Sequence, residues 1–415
     1  MLTGQILLQL IVILLVVQFF GYLIRRIGQQ WVIGEILAGI ALGPSLLGSI
    51  LPGVKLFLFP ASTLPVLQTL GDIGLILYMF TLGARLDTHL MLQQSRNAIV
   101  VSLSGIFLPM FLGGTIAFFL YPQLAGVNAT LFSFVLMLGI SMSITAFPVL
   151  ARLLTEKGML GTKIGMLALT CASVDDVVAW CCLAFVVAII RAQGPFSIVF
   201  TVGLTILFAA IMLLIVRPLF SYVVRRIQSQ YVLLVISIIL LLMSSFTTNA
   251  IGIHPVFGAF LTGVILPRNV AFTAQIRNIN QINVVLFLPL FFVFSGLQTQ
   301  IGLLQNPFLW LICLLVLAVA CLGKIFGGTI SARFLGETWK DALSLGVLMN
   351  TRGLVELIVL NIGLQLRILS PTLFAMLVVM AILTTMMASP LLPLFGYRSH
   401  SNETSSREMV EQTTL

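Results

Sequence analysis

Long apolar segments recur along this chain and leave few folds open to it. A helix that crosses a bilayer needs about 20 mostly apolar residues, and thirteen segments approach that length. Their approximate bounds are 5–24, 31–51, 64–84, 97–120, 129–154, 164–190, 196–216, 230–248, 252–267, 282–300, 308–332, 341–366 and 371–395. The pattern predicts an all-α polytopic membrane protein with about 13 transmembrane helices over residues 1–395. A short polar cytoplasmic tail is expected at 396–415.

The composition excludes several classes of protein. Only 8% of the 415 residues are charged, 60% are hydrophobic and the mean hydropathy is +1.16, whereas soluble proteins carry about 25% charged residues. An ordinary soluble enzyme and a disordered chain are therefore excluded. The net charge of +9 does not indicate nucleic-acid binding, because the basic residues are scattered between apolar segments. The five cysteines lack metal-ligand spacing, and no cofactor is expected.

The basic residues predict an orientation. Of the 21 Lys and Arg residues, sixteen fall in connections on one side of the predicted membrane and three on the other. Lys324 and Arg352 stay within apolar segments. Cytoplasmic connections are enriched in Lys and Arg, so we expect the N-terminus outside and the C-terminus in the cytoplasm.

A weak internal repeat is visible in the sequence. Leu-Ala-Gly-Ile-Ala-Leu-Gly-Pro at 37–44 is similar to Leu-Thr-Gly-Val-Ile-Leu-Pro at 261–267, and the two segments are seven apart in the series. They would cross in opposite senses, which predicts inverted five-helix repeats over about 31–190 and 252–395. Chance similarity between glycine-rich helices is the alternative.

The repeat makes the fifth and twelfth segments equivalent, and both carry a polar or proline-containing stretch, at 141–148 and at 350–353. Paired interruptions in corresponding helices are the best sequence pointer to a transport site. Two kinked but continuous helices are the alternative interpretation.

Charged residues inside the apolar segments are the candidate functional residues. A charge near the bilayer centre costs about 2.5–3.5 kcal/mol on insertion scales, yet Asp175, Asp176 and Lys324 all lie mid-segment. Adjacent helical residues point about 100° apart, so one aspartate can face Lys324 while the other faces a water-filled path. A carboxylate of such a coupled pair can hold a proton or a hard monovalent cation, which is the chemistry of an exchanger. A buried Asp–Lys pair that only stabilises packing is the alternative.

Other charged residues are less informative. Arg352 and Glu356 stand four apart on one helix face. They could neutralise the ends of interrupted helices or contact an ion directly, and both interpretations stay open. The role of Asp72 is also open. We expect a packing or solvated role for Glu35 and an interfacial position for His254.

Several longer stretches resemble a known family. They are Gly34–Gly39 with Leu42-Gly43-Pro44, Ser143–Arg152, Asp175-Asp176, Gly252–Phe260 and Thr351–Gly363. Together they resemble the second monovalent cation:proton antiporter family, which includes Kef-type and plant cation/H⁺ exchangers within the sodium/hydrogen exchanger superfamily.

That resemblance implies a homodimer, with a dimerisation panel and a moving core around two crossed, partly unwound helices. It implies that Asp176 carries the ion and the proton, that Asp175 pairs with Lys324, and that Thr145 lies near the ion. Paired aspartates in this family imply electrogenic exchange, with more than one proton per cation.

The expected function is a Na⁺ or K⁺/H⁺ antiporter that works by alternating access and serves pH and cation homeostasis in a bacterial inner membrane. A K⁺ efflux channel-like protein is one alternative, although the chain has no Thr-Val-Gly-Tyr-Gly filter. An organic-solute carrier on the same fold is another. An intramembrane aspartyl protease is not expected, since it would need aspartates on two different helices.

Overall fold

The structure is a computed structural model that describes residues 2–85, 95–159, 161–191, 195–227, 229–267 and 270–395. Within these residues the regular secondary structure is helical, apart from an isolated antiparallel bridge between Ala125 and Leu369. The predicted polar tail at 396–415 lies outside the described residues.

Nineteen α-helices make up the described chain. In chain order they are α1 (Leu2–Arg26), α2 (Trp31–Leu42), α3 (Leu47–Ile50), α4 (Pro52–Leu58), α5 (Leu64–Arg85), α6 (Ser95–Leu124), α7 (Leu131–Ser143), α8 (Phe147–Glu156), α9 (Lys163–Arg191), α10 (Pro195–Ile211), α11 (Arg217–Arg226), α12 (Gln230–Ile251), α13 (Pro255–Ile265), α14 (Val270–Ile282), α15 (Leu288–Gln298), α16 (Pro307–Phe334), α17 (Trp339–Met349), α18 (Leu354–Gln365) and α19 (Pro371–Leu391).

The described helices include ten spans that are long and apolar enough to cross a membrane. Three shorter apolar helices, at Leu131–Ser143, Pro255–Ile265 and Val355–Gln365, fall within the fifth, ninth and twelfth predicted segments. The all-α polytopic membrane fold is therefore confirmed. The count of about thirteen crossings stays a prediction, because these three helices are too short to span a bilayer alone.

Both predicted interruptions are present. Helix α7 ends at Ser143 and α8 begins at Phe147, with Ile144–Ala146 unwound between them. Likewise α17 ends at Met349 and α18 begins at Leu354. Pro148 suits the first turn of α8, where a missing N–H leaves no helical bond unmade. The interpretation as two kinked but continuous helices is wrong.

Two other helices are widened rather than broken. A π turn at Met212–Val216 joins α10 to α11, and another at Asn283–Phe287 joins α14 to α15. Pro218 and Pro289 follow these turns by two residues. A proline ring clashes with the carbonyl four residues earlier, and a wider turn relieves that clash without ending the helix.

The chain forms two compact units, and each predicted repeat contributes segments to both. The first unit comprises Met1–Phe20, Glu35–Asp87 and Trp180–Gln298, and the second comprises Gly21–Gly34, Thr88–Ala179 and Thr299–Leu415. In the first, α1, α2, α5 and α15 share an apolar core that includes Ile13, Ala38, Leu67 and Val293. In the second, the core draws on α8, α9 and α17, with Leu150, Ala172 and Leu348 fully buried. Asp175, Asp176, Lys324, Arg352 and Glu356 all lie in this second unit.

Glycine allows α2 and α15 to touch backbone to backbone within the first unit. A Cβ added at Gly39 would lie 2.3 Å from the Val293 carbonyl oxygen and 2.8 Å from the Gly296 Cα. Since both neighbours are backbone atoms, neither can move aside cheaply. Close packing through small residues is a common source of helix association in membranes.

We therefore expect Gly39→Ala to destabilise the protein by about 1–3 kcal/mol, the usual cost of overpacking. The measurement is the apparent melting temperature of detergent-solubilised protein. Gly203→Ala in α10 is the matched control, because a Cβ there meets no atom within 4 Å and alanine favours helix. An unchanged melting temperature for Gly39→Ala would contradict the packing argument.

Candidate functional site

The two interruptions lie against each other in the second unit. The Ala146 backbone N–H donates to the Thr351 carbonyl over 3.0 Å, and the Thr145 hydroxyl donates to the Met349 carbonyl over 2.8 Å. Thr145 and Thr351 are fully buried. Unwound backbone at membrane depth must find partners in the protein, and here each unwound stretch supplies them to the other. The predicted pair of crossed, partly unwound helices is confirmed.

Two cationic side chains bind the end of α7. Arg352 donates through Nη1 to the Ser141 carbonyl over 2.8 Å and through Nη2 to the Met142 carbonyl over 2.6 Å. Lys324 Nζ donates to the next carbonyl, that of Ser143. The last carbonyls of a helix lack intrahelical partners and carry partial negative charge. Two fixed cations therefore offset the negative end of α7.

Arg352 is itself held on two sides. Its Nη1 lies 3.4 Å from Glu356 Oε1, in the first turn of α18, and both side chains are completely buried. The Thr385 hydroxyl on α19 accepts from the Arg352 backbone N–H and donates to the Arg352 carbonyl. A carboxylate in the first turn of a helix is favourable for the helix dipole. The structure thus pairs Arg352, which binds the C-terminal end of α7, with Glu356 in the first turn of α18.

Asp175 and Lys324 form a fully buried ion pair. Lys324 Nζ lies 2.8 Å from Asp175 Oδ2, and neither side chain has any exposed area. The ammonium also donates to the Gly105 carbonyl over 2.9 Å and to that of Ser143, so its three N–H donors have three acceptors. The other oxygen of Asp175 accepts a hydrogen bond from the Ser102 hydroxyl. A buried pair with its remaining hydrogen-bonding positions satisfied is the form that a low-dielectric interior tolerates.

Asp176 is in a different situation, although it is the next residue along α9. It is 1% exposed, and neither carboxylate oxygen accepts a hydrogen bond from the described part of the chain. The first backbone N–H of α8, at Phe147, is close enough to act on it electrostatically. An isolated ionised carboxylate is costly to bury. A carboxylate in such surroundings is stabilised by taking up a proton or by binding a cation.

The remaining sequence candidates lie in the first unit. Asp72 is half-buried on α5 and Glu35 is buried on α2. His254 caps α13, where its Nδ1 accepts from the Val256 backbone N–H over 3.5 Å. None of these three belongs to the unit that holds Asp176.

Sequence reasoning missed three contributors to the site: Ser102, Gly105 and Thr385. Ser102 and Gly105 lie one turn apart on α6 and bind opposite ends of the Asp175–Lys324 pair. A proline at 109, inside the long helix α6, was the available signal for Gly105, since it removes the N–H that would otherwise bind the Gly105 carbonyl.

We expect Asp175→Asn to destabilise the protein strongly, by about 3–5 kcal/mol, because it leaves the buried Lys324 ammonium without its counter-charge. The same change one residue later, Asp176→Asn, breaks no ion pair and is the matched control. The measurement is the apparent melting temperature of both variants at neutral pH. The control should melt at or above the wild-type temperature, and equal losses in both variants would contradict the different surroundings of the two aspartates.

Comparison with known proteins agrees with the resemblance seen in the sequence. The chain is 44% identical over 392 residues to the Na(+)/H(+) antiporter NhaS4 of Synechocystis, covering 93% of this chain and 96% of that protein. It is 39% identical over 397 residues to Cation/H(+) antiporter 18 of Arabidopsis thaliana, covering 92% of this chain and 48% of that protein. Identity to the K(+)/H(+) antiporter 1 of Saccharomyces cerevisiae is 31% over 399 residues, covering 93% and 46%. The chain thus spans nearly all of the cyanobacterial relative and about half of the plant and yeast relatives.

The fold has a solved counterpart. The sodium proton antiporter MjNhaP1 from Methanocaldococcus jannaschii superposes with a TM-score of 0.67 at 15% identity, covering 94% of this chain and 96% of that one. The sequence profile described as sodium/hydrogen exchanger, transmembrane, matches residues 11–395. This integral, multi-pass membrane protein therefore belongs to the sodium/hydrogen exchanger family of transporters.

Proposed function

We propose that this protein exchanges H⁺ for a monovalent alkali cation, Na⁺ or K⁺, by alternating access. The observation that carries the proposal is Asp176, a buried carboxylate that accepts no hydrogen bond from the described residues and lies beside an interrupted helix. The names of the relatives, which are Na⁺/H⁺, cation/H⁺ and K⁺/H⁺ antiporters, support the same class of transport.

The charges around the site explain why one monovalent ion suffices. Lys324 neutralises Asp175, and Arg352 neutralises Glu356. An ionised Asp176 then leaves the cluster with one unbalanced negative charge. A single proton or a single alkali cation restores neutrality, whereas a divalent cation would leave an excess positive charge in a low-dielectric site.

In the proposed cycle, Asp176 loses its proton to the cytoplasm and binds the cation in its place. Thr145 is the expected second ligand: its hydroxyl hydrogen is given to the Met349 carbonyl, so the lone pairs of its oxygen stay available. Backbone carbonyls of the unwound stretches complete the shell, as at ion sites in discontinuous helices. The site then opens to the other side, where protonation of Asp176 releases the cation.

Electrogenic exchange is part of the proposal. The Asp175–Lys324 pair is the source of a second proton, because a Lys324 that separates from Asp175 during the cycle leaves both groups free to titrate. This role requires the pair to open in a conformation other than the one described here.

The cellular setting is also proposed. Sixteen basic residues assigned to one side support a cytoplasmic C-terminus and an outside N-terminus under the positive-inside rule. We place the protein in a bacterial inner membrane as a homodimer, serving pH and cation homeostasis.

Asp176→Asn is expected to abolish cation-dependent proton flux, since the amide can neither carry a proton nor neutralise a cation. The measurement is the dissipation of an imposed pH gradient in proteoliposomes on addition of Na⁺, K⁺ or Li⁺. Asp341→Asn, at the start of α17 where Asp341 accepts from Thr338, is the control and should exchange normally. Normal exchange by Asp176→Asn would contradict the assignment, and a wild type inactive with all three cations would favour an organic-solute carrier.

Proton and cation should compete in the wild type. As pH falls, protons occupy Asp176, so the apparent KM for the cation should rise by up to about tenfold for each pH unit while Vmax changes less. The measurement is initial flux against cation concentration between neutral and acidic pH. A pH-independent KM with a falling Vmax would place the inhibiting proton elsewhere.

A further inference from the structure

Among its described side chains, helix α6 contributes no charge to the site, yet it touches both members of the buried ion pair. The Ser102 hydroxyl donates to Asp175 Oδ1, and the Gly105 carbonyl accepts from Lys324 Nζ over 2.9 Å. Ser102 is completely buried. The two contacts come from positions three residues apart, which lie on the same face of a helix.

The Gly105 carbonyl is available because of Pro109. In an α-helix the carbonyl of residue 105 would accept from the N–H of residue 109, and proline has no N–H. The helix runs unbroken past this point, since α6 extends over Ser95–Leu124. A strong acceptor is thus exposed in mid-helix without unwinding the backbone.

Close packing of α16 on α6 brings Lys324 to this acceptor. A Cβ at Gly323 would lie 2.8 Å from the Pro109 Cα, and a Cβ at Gly327 would lie 2.9 Å from the Ser104 carbonyl oxygen. These glycines flank Lys324 on the same helix, so the two backbones lie close together on either side of it. This packing places Lys324 Nζ within hydrogen-bonding distance of the Gly105 carbonyl.

We propose that α6 is a positioning element of the transport site: Pro109 presents the Gly105 carbonyl to Lys324, and Ser102 fixes Asp175. This inference rests on the proposed function of Asp176. The two contacts set the balance of charge in the pair, and that balance sets the electrostatic potential at Asp176. The other titratable and charged groups whose fields reach the pair are Arg352 and Glu356 from the α17–α18 side and Cys171 on α9 itself.

Substitutions at the two ends of the pair should act in opposite directions. Pro109→Ala restores an N–H that competes for the Gly105 carbonyl, so Lys324 loses support for its positive charge. Asp176 then gives up its proton less readily, and half-maximal exchange moves to higher pH. Ser102→Ala removes support from the negative charge of Asp175, which leaves the site more positive and moves half-maximal exchange to lower pH.

The test is the pH profile of cation-dependent proton flux in proteoliposomes of the full chain. We expect shifts of about half a pH unit or more, the size associated with one hydrogen bond to a charged group. Pro122→Ala restores an N–H in the same helix near exposed Phe118, and Thr115→Ala removes a hydroxyl that bonds the Phe111 carbonyl of its own helix. Both controls should keep the wild-type profile.

Opposite shifts in the two variants, absent from the controls, support the inference. Unshifted profiles, shifts in one common direction, or shifts no larger than those of the controls overturn it. If Pro109→Ala gives little folded protein, Ser102→Ala decides alone: a downward shift supports the role of α6, and a wild-type profile overturns it. A wild type without cation-dependent flux overturns the proposed function itself, and this role of α6 with it.

Discussion

Burial of charge is the constraint on which this structure depends. Five ionisable groups, Asp175, Asp176, Lys324, Arg352 and Glu356, are buried in one unit, and an unpaired charge there costs several kilocalories per mole. Four of them form two pairs, Asp175 with Lys324 and Arg352 with Glu356. The arrangement isolates Asp176 as the one carboxylate of the five that accepts no hydrogen bond from the described residues. In the proposed exchange, its need for a partner is the reason why an ion binds there reversibly.

Lys324 and Arg352 also stabilise the interruption after α7. A helix that ends inside a membrane leaves carbonyls that no water can reach, and α7 ends with Lys324 and Arg352 on its last three. One set of side chains therefore balances the acidic residues and the helix end together. Replacing Lys324 or Arg352 would therefore change both the end of α7 and the charge balance of the site.

Much of this arrangement was predictable because charged residues and prolines are conspicuous within apolar membrane segments. Asp176 and Lys324 stand out in apolar segments, and the interruption before α8 was marked by Pro148. Ser102 did not stand out, because serine is ordinary in membrane helices. Pro109 marks the free carbonyl of Gly105, but the contact of that carbonyl with Lys324 depends on how α16 lies against α6. Thr385 gave no local signal either: its partner Arg352 is 33 residues away. The number of crossings stays a prediction, since interrupted spans yield helices too short to be counted by length.

Thr385 connects α19 to the site through hydrogen bonds to the Arg352 backbone. One hydroxyl serves both the N–H and the C=O of Arg352, and Arg352 in turn holds two carbonyls of α7. A displacement of α19 along its axis would strain the hydrogen bonds between Thr385 and the Arg352 backbone. Through Arg352 it would also strain the hydrogen bonds to the end of α7. In the proposed alternating-access cycle we therefore expect α19, Arg352 and the end of α7 to move together, with the hinges at the borders of this group.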